Sequence, residues 1–533
     1  MMRFLPVNLD ALMVELNSLE QTMALTDLLH NMFKQWHIEE IVPAARTILI
    51  RFNPVLTNAS TIAKHVATLD ISAGVMPSGE LITIPVQYQG EDLADVANYL
   101  GITISEVIER HTEHEYQVAF CGFAPGFAYM VSKGANLNVP RRQSPRIRIP
   151  AGSVALAGEF SSIYPKTSPG GWQLIGITHV AVWDLHRKEP ALLKPGSRVN
   201  FIDASKSGKI YSLPISKKVE ETDHQQHDIK ILQTGLQTLW QDDGRIGQAA
   251  LGISESGAMD KSALHSVNRV VGNSINTPAL EITQGGFKAQ INSAMLVAVT
   301  GATCDITITT AKQEKYHSRM YEPIQLEKGD IIELGNCQCG VRSYFAVRGG
   351  FEIAPVLTSC SYDTLAQVGP SPLKNNQYLA LRHKKRLNAV SLTQLPLVNY
   401  PTSDDVVELD IVLGPRTDWF TQQAITKLCS QLWHVTPASN RIGLRLLGEE
   451  PLSRKIQQEL PSEGTCIGAI QIPANGQPVL FLNDHPLTGG YPVIGAVCNY
   501  HLDLAGQIPV NAKIKFNPIG MFKEFIGSCS DHV

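Results

Sequence analysis

The sequence predicts a mainly β protein with a small α/β lead-in, and three observations carry that expectation. Short apolar segments punctuated by Gly and Pro fill most of the chain beyond Tyr116. Helical periodicity is confined to a few stretches. One set of Gly-rich motifs occurs twice in the same order. With 533 residues, and domains of about 100 to 200 residues each, several cores are expected.

The lead-in comes first, over 1–80. Leu25, Leu28, Leu29, Met32, Phe33 and Trp36 fall on one helix face, and the β-branched run Thr47 to Phe52 reads as a strand. A second short helix carries Ile62, Val66 and Leu69 on one side. A barrel or sandwich unit is expected over 81–212. It opens with a strand from Leu81 to Val86 and a helix ended by Gly101. Thr103 and Glu106 then form a capping box that starts a helix through Ile108. Residues 213–229 are polar and without aromatics, the composition of a linker. A unit over 230–395 follows, with a helix marked by Ala263, Leu264, Val267, Val270 and Val271 and stopped at Gly272 and Asn273. An exposed, Pro-bearing stretch near Leu395 to Asp405 separates it from a last, barrel-completing unit over 396–533.

The internal echo is the strongest organisational signal. Gly152-Ser-Val-Ala-Leu leads to Ser168-Pro-Gly-Gly-Trp, and Gly468-Ala-Ile-Gln-Ile leads to Thr488-Gly-Gly-Tyr. Each copy then ends in a strand, around Phe201 and Phe516, so one barrel-like unit is expected twice.

Composition narrows the function. Lys and Arg total 45 against 49 Asp and Glu, so no general positive field attracts nucleic acid or an anionic membrane. No apolar run reaches the roughly 18 residues of a membrane span, and the start lacks a signal-peptide core, so a cytoplasmic location is expected. Nine Cys without a CxxC pair read as free thiols. No phosphate loop, HExxH or GxSxG motif occurs. The HxxH pairs His111/His114 and His224/His227 lack a third ligand and are expected to face solvent, so no metal site is expected.

Several loops can carry chemistry. Phe120 to Met130 crowds Gly122, Pro125 and Gly126 among aromatics, giving either a buried turn or an apolar wall edged by the Tyr129 phenol. Arg141, Arg142, Arg146 and Arg148 form a basic cluster. Alternation puts Arg146 and Arg148 on one strand face, as a fork for a carboxylate or phosphate or as a charged edge strand. The paired glycines of Ser168-Pro-Gly-Gly171-Trp172 and Thr488-Gly-Gly-Tyr491 form tight hairpins or an anion-binding rim. In the second half, Arg245, Arg441, Glu463 and Asp484 stand in glycine-marked loops. Asp260 opens a helix as a cap or beside an anion site.

These motifs carry a resemblance. Through FAPGFAY, PRRxSPR, PAGSVALAG and IYPxxSPGGWxLIG, the chain up to about 215 resembles the KipI, or allophanate hydrolase subunit 1, family. Through QDxGRxG, SGAMD, ALEIT, GPR, NRIGLRL and GGYP, the remainder resembles the companion KipA, or subunit 2, family. The resemblance implies a cyclophilin-like β-barrel in each half. It also implies the B and C subunits of an ATP-dependent 5-oxoprolinase that works with a LamB/YcsF-type A subunit.

It further implies a small amide substrate with ATP, and Mg beside it, as co-substrate, no biotin attachment site, and no nucleic-acid or membrane partner; a homo-oligomer is left open. The site residues are expected to be Glu463, Asp484 and Asp260 as catalytic groups. Tyr129, Arg146, Ser168, Gly171, Trp172, Arg245, Arg441 and Tyr491 are the expected binding groups. The alternatives are carboxyl transfer to urea or another amide with a biotin partner, and a KipI-type regulator that binds a histidine kinase. The chain departs from the family pattern at Thr358 to Asp363 and at Pro486-Leu487.

Overall fold

Residues 2–72, 79–142, 144–207, 227–382 and 387–526 are described by a computed structural model; most of the expected linker lies outside them. The lead-in is an antiparallel sheet in the order Arg3–Asn8, Ala11–Glu15, Thr47–Phe52, Ile38–Pro43. Helices Leu19–Met32 and Ala59–Ala67 cover it and bury Leu25, Leu29 and Ile62 against Ile48, Ile50 and Phe52. The first helix stops short of the predicted face. Trp36 lies beyond its end and packs on His65, with ring centroids 5.1 Å apart.

The next unit starts on strand Leu81–Val86. Helix Leu93–Leu100 ends on Gly101 at φ +68, and Thr103 caps helix Ile104–Glu113 by accepting the Glu106 amide at 3.2 Å. The Glu106 carboxylate turns to Arg110 instead, so half of the expected capping box forms. His111 also corrects its expectation, because it is fully buried rather than solvent-facing. It lies 2.7 Å from the Tyr88 hydroxyl and 2.9 Å from Ser161 Oγ and stacks on Phe201, and burial pushes its pKa down to about 3.

The echo in the sequence is an echo in topology. The first barrel sheet runs Gln173–Ile177, Ser153–Ala157, Phe160–Ile163, Ala128–Val131, Glu115–Cys121, Arg198–Asp203, Leu81–Val86. The second runs Val493–Val497, Ala469–Gln471, Val479–Phe481, Gly443–Leu447, Trp433–Val435, Lys513–Pro518, Val406–Leu413 and closes on itself. Strand for strand, the chain order is the same. In both, the last strand pairs in parallel with the first. The second barrel closes through Val406–Leu413 with Val493–Val497, whereas the first is joined at the same seam by mutual Gln87 and Ile177 backbone bonds of 2.8 and 2.9 Å. The barrel over 406–518 thus closes on its own strands rather than completing one begun upstream.

Each barrel also extends a two-stranded ribbon: Arg146–Ile149 with Ser168–Gly170 in the first, and Glu463–Gly464 with Thr488–Gly489 in the second. Between the barrels in sequence lie a six-stranded and a five-stranded sheet sharing a core that includes Trp240, Leu280, Phe287 and Phe345. Helix Lys261–Val271 packs on that unit, capped by Asp260 and stopped at Gly272 in the left-handed region.

Candidate functional site at the junction of the two barrels

The aromatic turn of the first barrel and the ribbon of the second meet. Strands Glu115–Cys121 and Ala128–Val131 are joined through Gly122 to Phe127, where Phe123 is held at φ +64. Its amide donates to Thr488 Oγ1 at 3.1 Å, so a residue in an unfavourable backbone region is fixed by the opposite half of the chain. Gly122 allows that approach, since a Cβ there would lie 2.5 Å from the same Thr488 oxygen.

Around this contact a small cavity of about 120 Å³ is lined by Phe127, Tyr129, Arg141, Trp172, Thr488 and Gly490, among others. Tyr129, Arg141 and Ser462 are shared with an adjoining cavity of about 400 Å³ that reaches Arg46, Asn138 and Glu159. Together they form one cleft with walls from both halves. Its floor is a cluster of edge-to-face rings: Phe127 lies 5.4 Å from Trp172, Tyr129 5.5 Å from Trp172, and Phe127 5.2 Å from Tyr164. Burial pushes the Tyr129 pKa up, against the charge of Arg141 and hydrogen bonds with Ser462 and Thr488, so its hydroxyl keeps its proton.

Arg141 supplies the positive charge; its closest carboxylate is Glu459 at 3.4 Å, a residue 63% exposed at the side chain. Gly490 lets the guanidinium come close, because a Cβ there would lie 3.3 Å from Nη1. The Arg142 amide donates to the Gly171 carbonyl at 2.7 Å and holds the first glycine rim beside the cleft. A planar amide with a carboxylate fits these parts: a flat face on Trp172 and Phe127, an anion on Arg141, and a carbonyl toward the phenol.

Of the residues expected from sequence, Tyr129, Gly171 and Trp172 are therefore together. Arg146 is elsewhere. It binds Asp92 at 2.8 Å through two nitrogens and Glu91 at 3.0 Å, tying its ribbon to the start of helix Leu93–Leu100. Ile147 beside it is 92% exposed while Ile149 is buried, so the ribbon projects at one end and is anchored at the other, and Arg146 is already engaged by two carboxylates. Ser168 lies in that ribbon, and Tyr491 is exposed under Arg454, whose guanidinium carbon is 5.6 Å from the ring.

Of the remaining charged candidates, Arg441, Asp484 and Asp260 belong to a sealed hub beneath the second barrel, Asp260 through the Tyr344 hydroxyl that donates to Glu281. Arg441 donates to Asp484 at 2.9 and 3.0 Å, to Glu281 and to the Gly257 carbonyl. Asp484 also accepts from Ser256 at 2.6 Å and from the Thr364 amide and hydroxyl at 2.8 and 2.7 Å. Burial pushes the Asp484 pKa up, but Arg441 and these hydrogen bonds outweigh it and hold the carboxylate ionised. Asp260 caps its helix and accepts from Gln507 at 2.8 Å and Tyr400 at 3.2 Å; burial and the nearby Asp503 push it up to about 7.

Arg245 is fully buried and donates to the Ser361 carbonyl. Neither Asp260, Asp484, Arg245 nor Arg441 lines the cleft, so the two aspartates hold the scaffold rather than reach a substrate there. Glu463 sits behind Ser462, gripped by Arg416 at 2.9 and 3.0 Å, and serves as an anchor for the second ribbon.

The expected site residues did not include Arg141, Ser462, Thr488 or Gly490, although Thr488 and Gly490 stand in the second glycine motif. Arg141 was visible in the basic cluster, but spacing alone does not separate it from Arg146. The departures from the family pattern are absorbed by packing. Ser359 and Ser361 bind Asp242 at 2.5 and 2.6 Å, and Leu487 joins the core with Leu5, Val7 and Leu49. Among the described residues, no group of three or more His, Cys, Asp or Glu could hold a metal ion, and no helix is long and apolar enough to cross a membrane.

Comparison with known proteins matches two ranges of the chain to family models. Residues 2–193 match the family model for carboxyltransferase domain, subdomain C and D, and residues 251–518 that for carboxyltransferase domain, subdomain A and B. The chain is 40% identical over 171 residues to the 5-oxoprolinase B subunit of Escherichia coli O157:H7, covering 31% of this chain and 78% of that protein. It is 34% identical over 293 residues to the 5-oxoprolinase C subunit of Escherichia coli (strain K12), covering 54% of this chain and 90% of that protein.

The crystal structure of TTHA0988 matches with a TM-score of 0.81 at 30% identity, over 95% of this chain and 99% of that one. The chain thus belongs to the carboxyltransferase-domain family, with its subdomain C and D part joined ahead of its subdomain A and B part in one polypeptide.

Proposed function

We propose that this chain is the fused B and C component of an ATP-dependent 5-oxoprolinase, opening 5-oxo-L-proline to L-glutamate together with a LamB/YcsF-type A subunit. One observation carries the reading: the cleft has walls from both halves, so it exists only when a B-like and a C-like part are held together. In it Arg141 receives the substrate carboxylate, Trp172 and Phe127 receive the ring face, and the Tyr129 hydroxyl donates to the lactam oxygen. A lactam oxygen gains negative charge as its carbon is attacked, and a pre-placed O–H donor stabilises that charge. In this reading the lactam oxygen takes the terminal phosphoryl group of ATP and ADP leaves, water adds to the ring carbon, and loss of phosphate with cleavage of the C–N bond gives glutamate; Mg would arrive with the nucleotide. Arg441 and Asp484 act from below, holding the second barrel to the middle sheets through Glu281, Ser256 and Thr364.

The test is release of glutamate and ADP from 5-oxoproline and ATP by the purified chain, with and without the A-type partner. Activity that needs both, and that falls in Arg141→Ala and Tyr129→Phe, supports the reading. A folded, partner-bound chain without activity rejects it. The second reading is carboxyl transfer to an amide from a biotin-bearing partner, favoured by the carboxyltransferase family models. It predicts carboxylation of the amide in place of ring opening.

A further inference from the structure

The lactam takes the smaller chamber of the cleft in the reading above, and the larger one, of about 400 Å³, is left for a second ligand. Tyr129, Arg141 and Ser462 line both chambers. A ligand in the larger chamber therefore reaches the border at which the lactam oxygen is held.

Arg141 is joined in that chamber by a second cation, Arg46. It stands in the turn between strands Ile38–Pro43 and Thr47–Phe52, where the Leu16 amide donates to its carbonyl at 2.9 Å. The neighbouring Ala45 amide donates to the Ser462 carbonyl at 3.2 Å, so the turn is fixed both by its own sheet and by the second half of the chain. The Arg46 side chain is exposed and, among the described residues, makes no hydrogen bond or ion pair. Its charge reaches Glu159, holding that carboxyl down while burial and Glu20 push it up.

The other walls suit the rest of a nucleotide. Backbone bonds of 3.2 and 2.7 Å between Val139 and Gly158 set Asn138 opposite Glu159, and Phe160 and Pro461 add apolar surface for a base. Glu159 and Glu459 come from opposite halves of the chain. A magnesium ion that travels with a polyphosphate needs only one or two carboxylates besides the phosphate oxygens, and a guanidinium with free N–H groups matches those oxygens in shape and charge.

We propose that the larger chamber binds a magnesium nucleoside triphosphate, with its terminal phosphate on Arg46 and directed to the border where Tyr129 meets Ser462. There the bond from the terminal phosphorus to its bridging oxygen breaks, a bond to the lactam oxygen forms, and the diphosphate leaves. The identity of the acceptor rests on the oxoprolinase reading; the binding of the triphosphate is measured without turnover.

Magnesium adenylyl imidodiphosphate, a triphosphate analogue that resists cleavage, and adenosine are titrated calorimetrically into the full chain. The analogue is expected to bind at least about tenfold more tightly than adenosine. Arg46→Gln is expected to weaken the analogue at least about tenfold, the worth of one charge-assisted hydrogen bond, and with the A-type partner to raise the KM for ATP while leaving that for the lactam unchanged. No binding of the analogue, equal affinity for adenosine, or unchanged binding by Arg46→Gln each overturns the proposal. A chain that binds the analogue through Arg46 but releases no glutamate with its partner keeps this site and rejects the oxoprolinase reading. Should Arg46→Gln fail to fold, the comparison of the two probes on the unaltered chain decides alone.

Discussion

The two barrels share a strand order but differ at the same two places. Where the fifth strand in the sheet order, Glu115–Cys121, turns into the fourth, Ala128–Val131, the first barrel carries Phe123 and Phe127 and opens onto the cleft. At the same turn the second barrel, passing from Trp433–Val435 to Gly443–Leu447, carries Arg441 and is sealed by Asp484 and Glu281. The ribbons differ likewise. In the first, Ile147 is 92% exposed and Arg146 reaches back to Asp92; in the second, Glu463 and Thr488 are buried against Arg416 and Phe123. A duplicated scaffold has therefore divided its labour: one copy supplies the aromatic wall, the other a rigid polar support that fixes where that wall sits.

If the second copy is the support, breaking its hub has the largest effect. Arg441→Met leaves Asp484 and Glu281 buried without their shared cation, and removing one partner of a buried ion pair costs about 3–5 kcal/mol. Chemical denaturation checks it. A normal midpoint would mean the hub is dispensable and the contrast between the barrels is one of shape alone.

The hub also has a pH signature. Asp260 titrates near 7 when folded against 3.8 ordinarily, so the native state binds the extra proton between those values and stability falls as pH rises across that window. Asp260→Asn keeps the helix cap but cannot ionise. Its melting temperature relative to the unaltered chain is expected to rise from pH 5 to pH 8, by an amount corresponding to about 3 kcal/mol, since nearly two pH units of that window lie below the folded value and each is worth about 1.4 kcal/mol. A flat difference would show that Asp260 does not titrate in this range.

How much of this was legible depended on whether a signal was local. Strands Thr47–Phe52 and Leu81–Val86 and the Gly101 and Gly272 stops follow from residues adjacent in sequence, and they stand where the pattern put them. The duplication was legible because Gly-rich turns constrain backbone directly. The cleft was only half legible: Tyr129, Gly171 and Trp172 belong to one barrel, while Ser462 and Thr488 arrive from 290 or more positions away in sequence. The same distance hid the hub. Arg441, Asp484, Glu281 and Ser256 look like four unrelated loop residues until the barrel docks, and His111 looks exposed until Tyr88, Ser161 and Phe201 surround it.

At the seam between the copies the effect is smaller. Thr488→Val removes the acceptor for the Phe123 amide while keeping side-chain shape, and an unsatisfied buried amide costs about 1–2 kcal/mol. Because Phe123 is held at φ +64, the turn is also expected to relax and misplace Phe127 and Tyr129. The KM for the lactam should therefore rise more than kcat falls. Loss of stability without that change would make Thr488 a strut with no bearing on the cleft.

The smallest effect belongs to the outlying ribbon. Burial pushes the Asp92 pKa up, but the Arg146 hydrogen bonds, the Leu174 amide and the charges of Arg146 and Arg142 outweigh it, and the carboxylate is held below its ordinary value. A depressed carboxylate stabilises the fold above its unfolded pKa and loses that contribution as pH falls through its folded pKa. Arg146→Ala leaves Asp92 with Arg142 and the Leu174 amide at 2.7 Å, so less than about 1 kcal/mol should be lost at pH 7. The difference from the unaltered chain should shrink further in acid as Asp92 takes up its proton.

Substrate affinity should not move, because Arg146 lies outside the cleft while Arg141, five residues earlier in the same basic cluster, lies in it. If Arg146→Ala instead weakened lactam binding as much as Arg141→Ala, the ribbon would have to fold over the cleft during catalysis, and the first barrel would be as much a moving part as a wall.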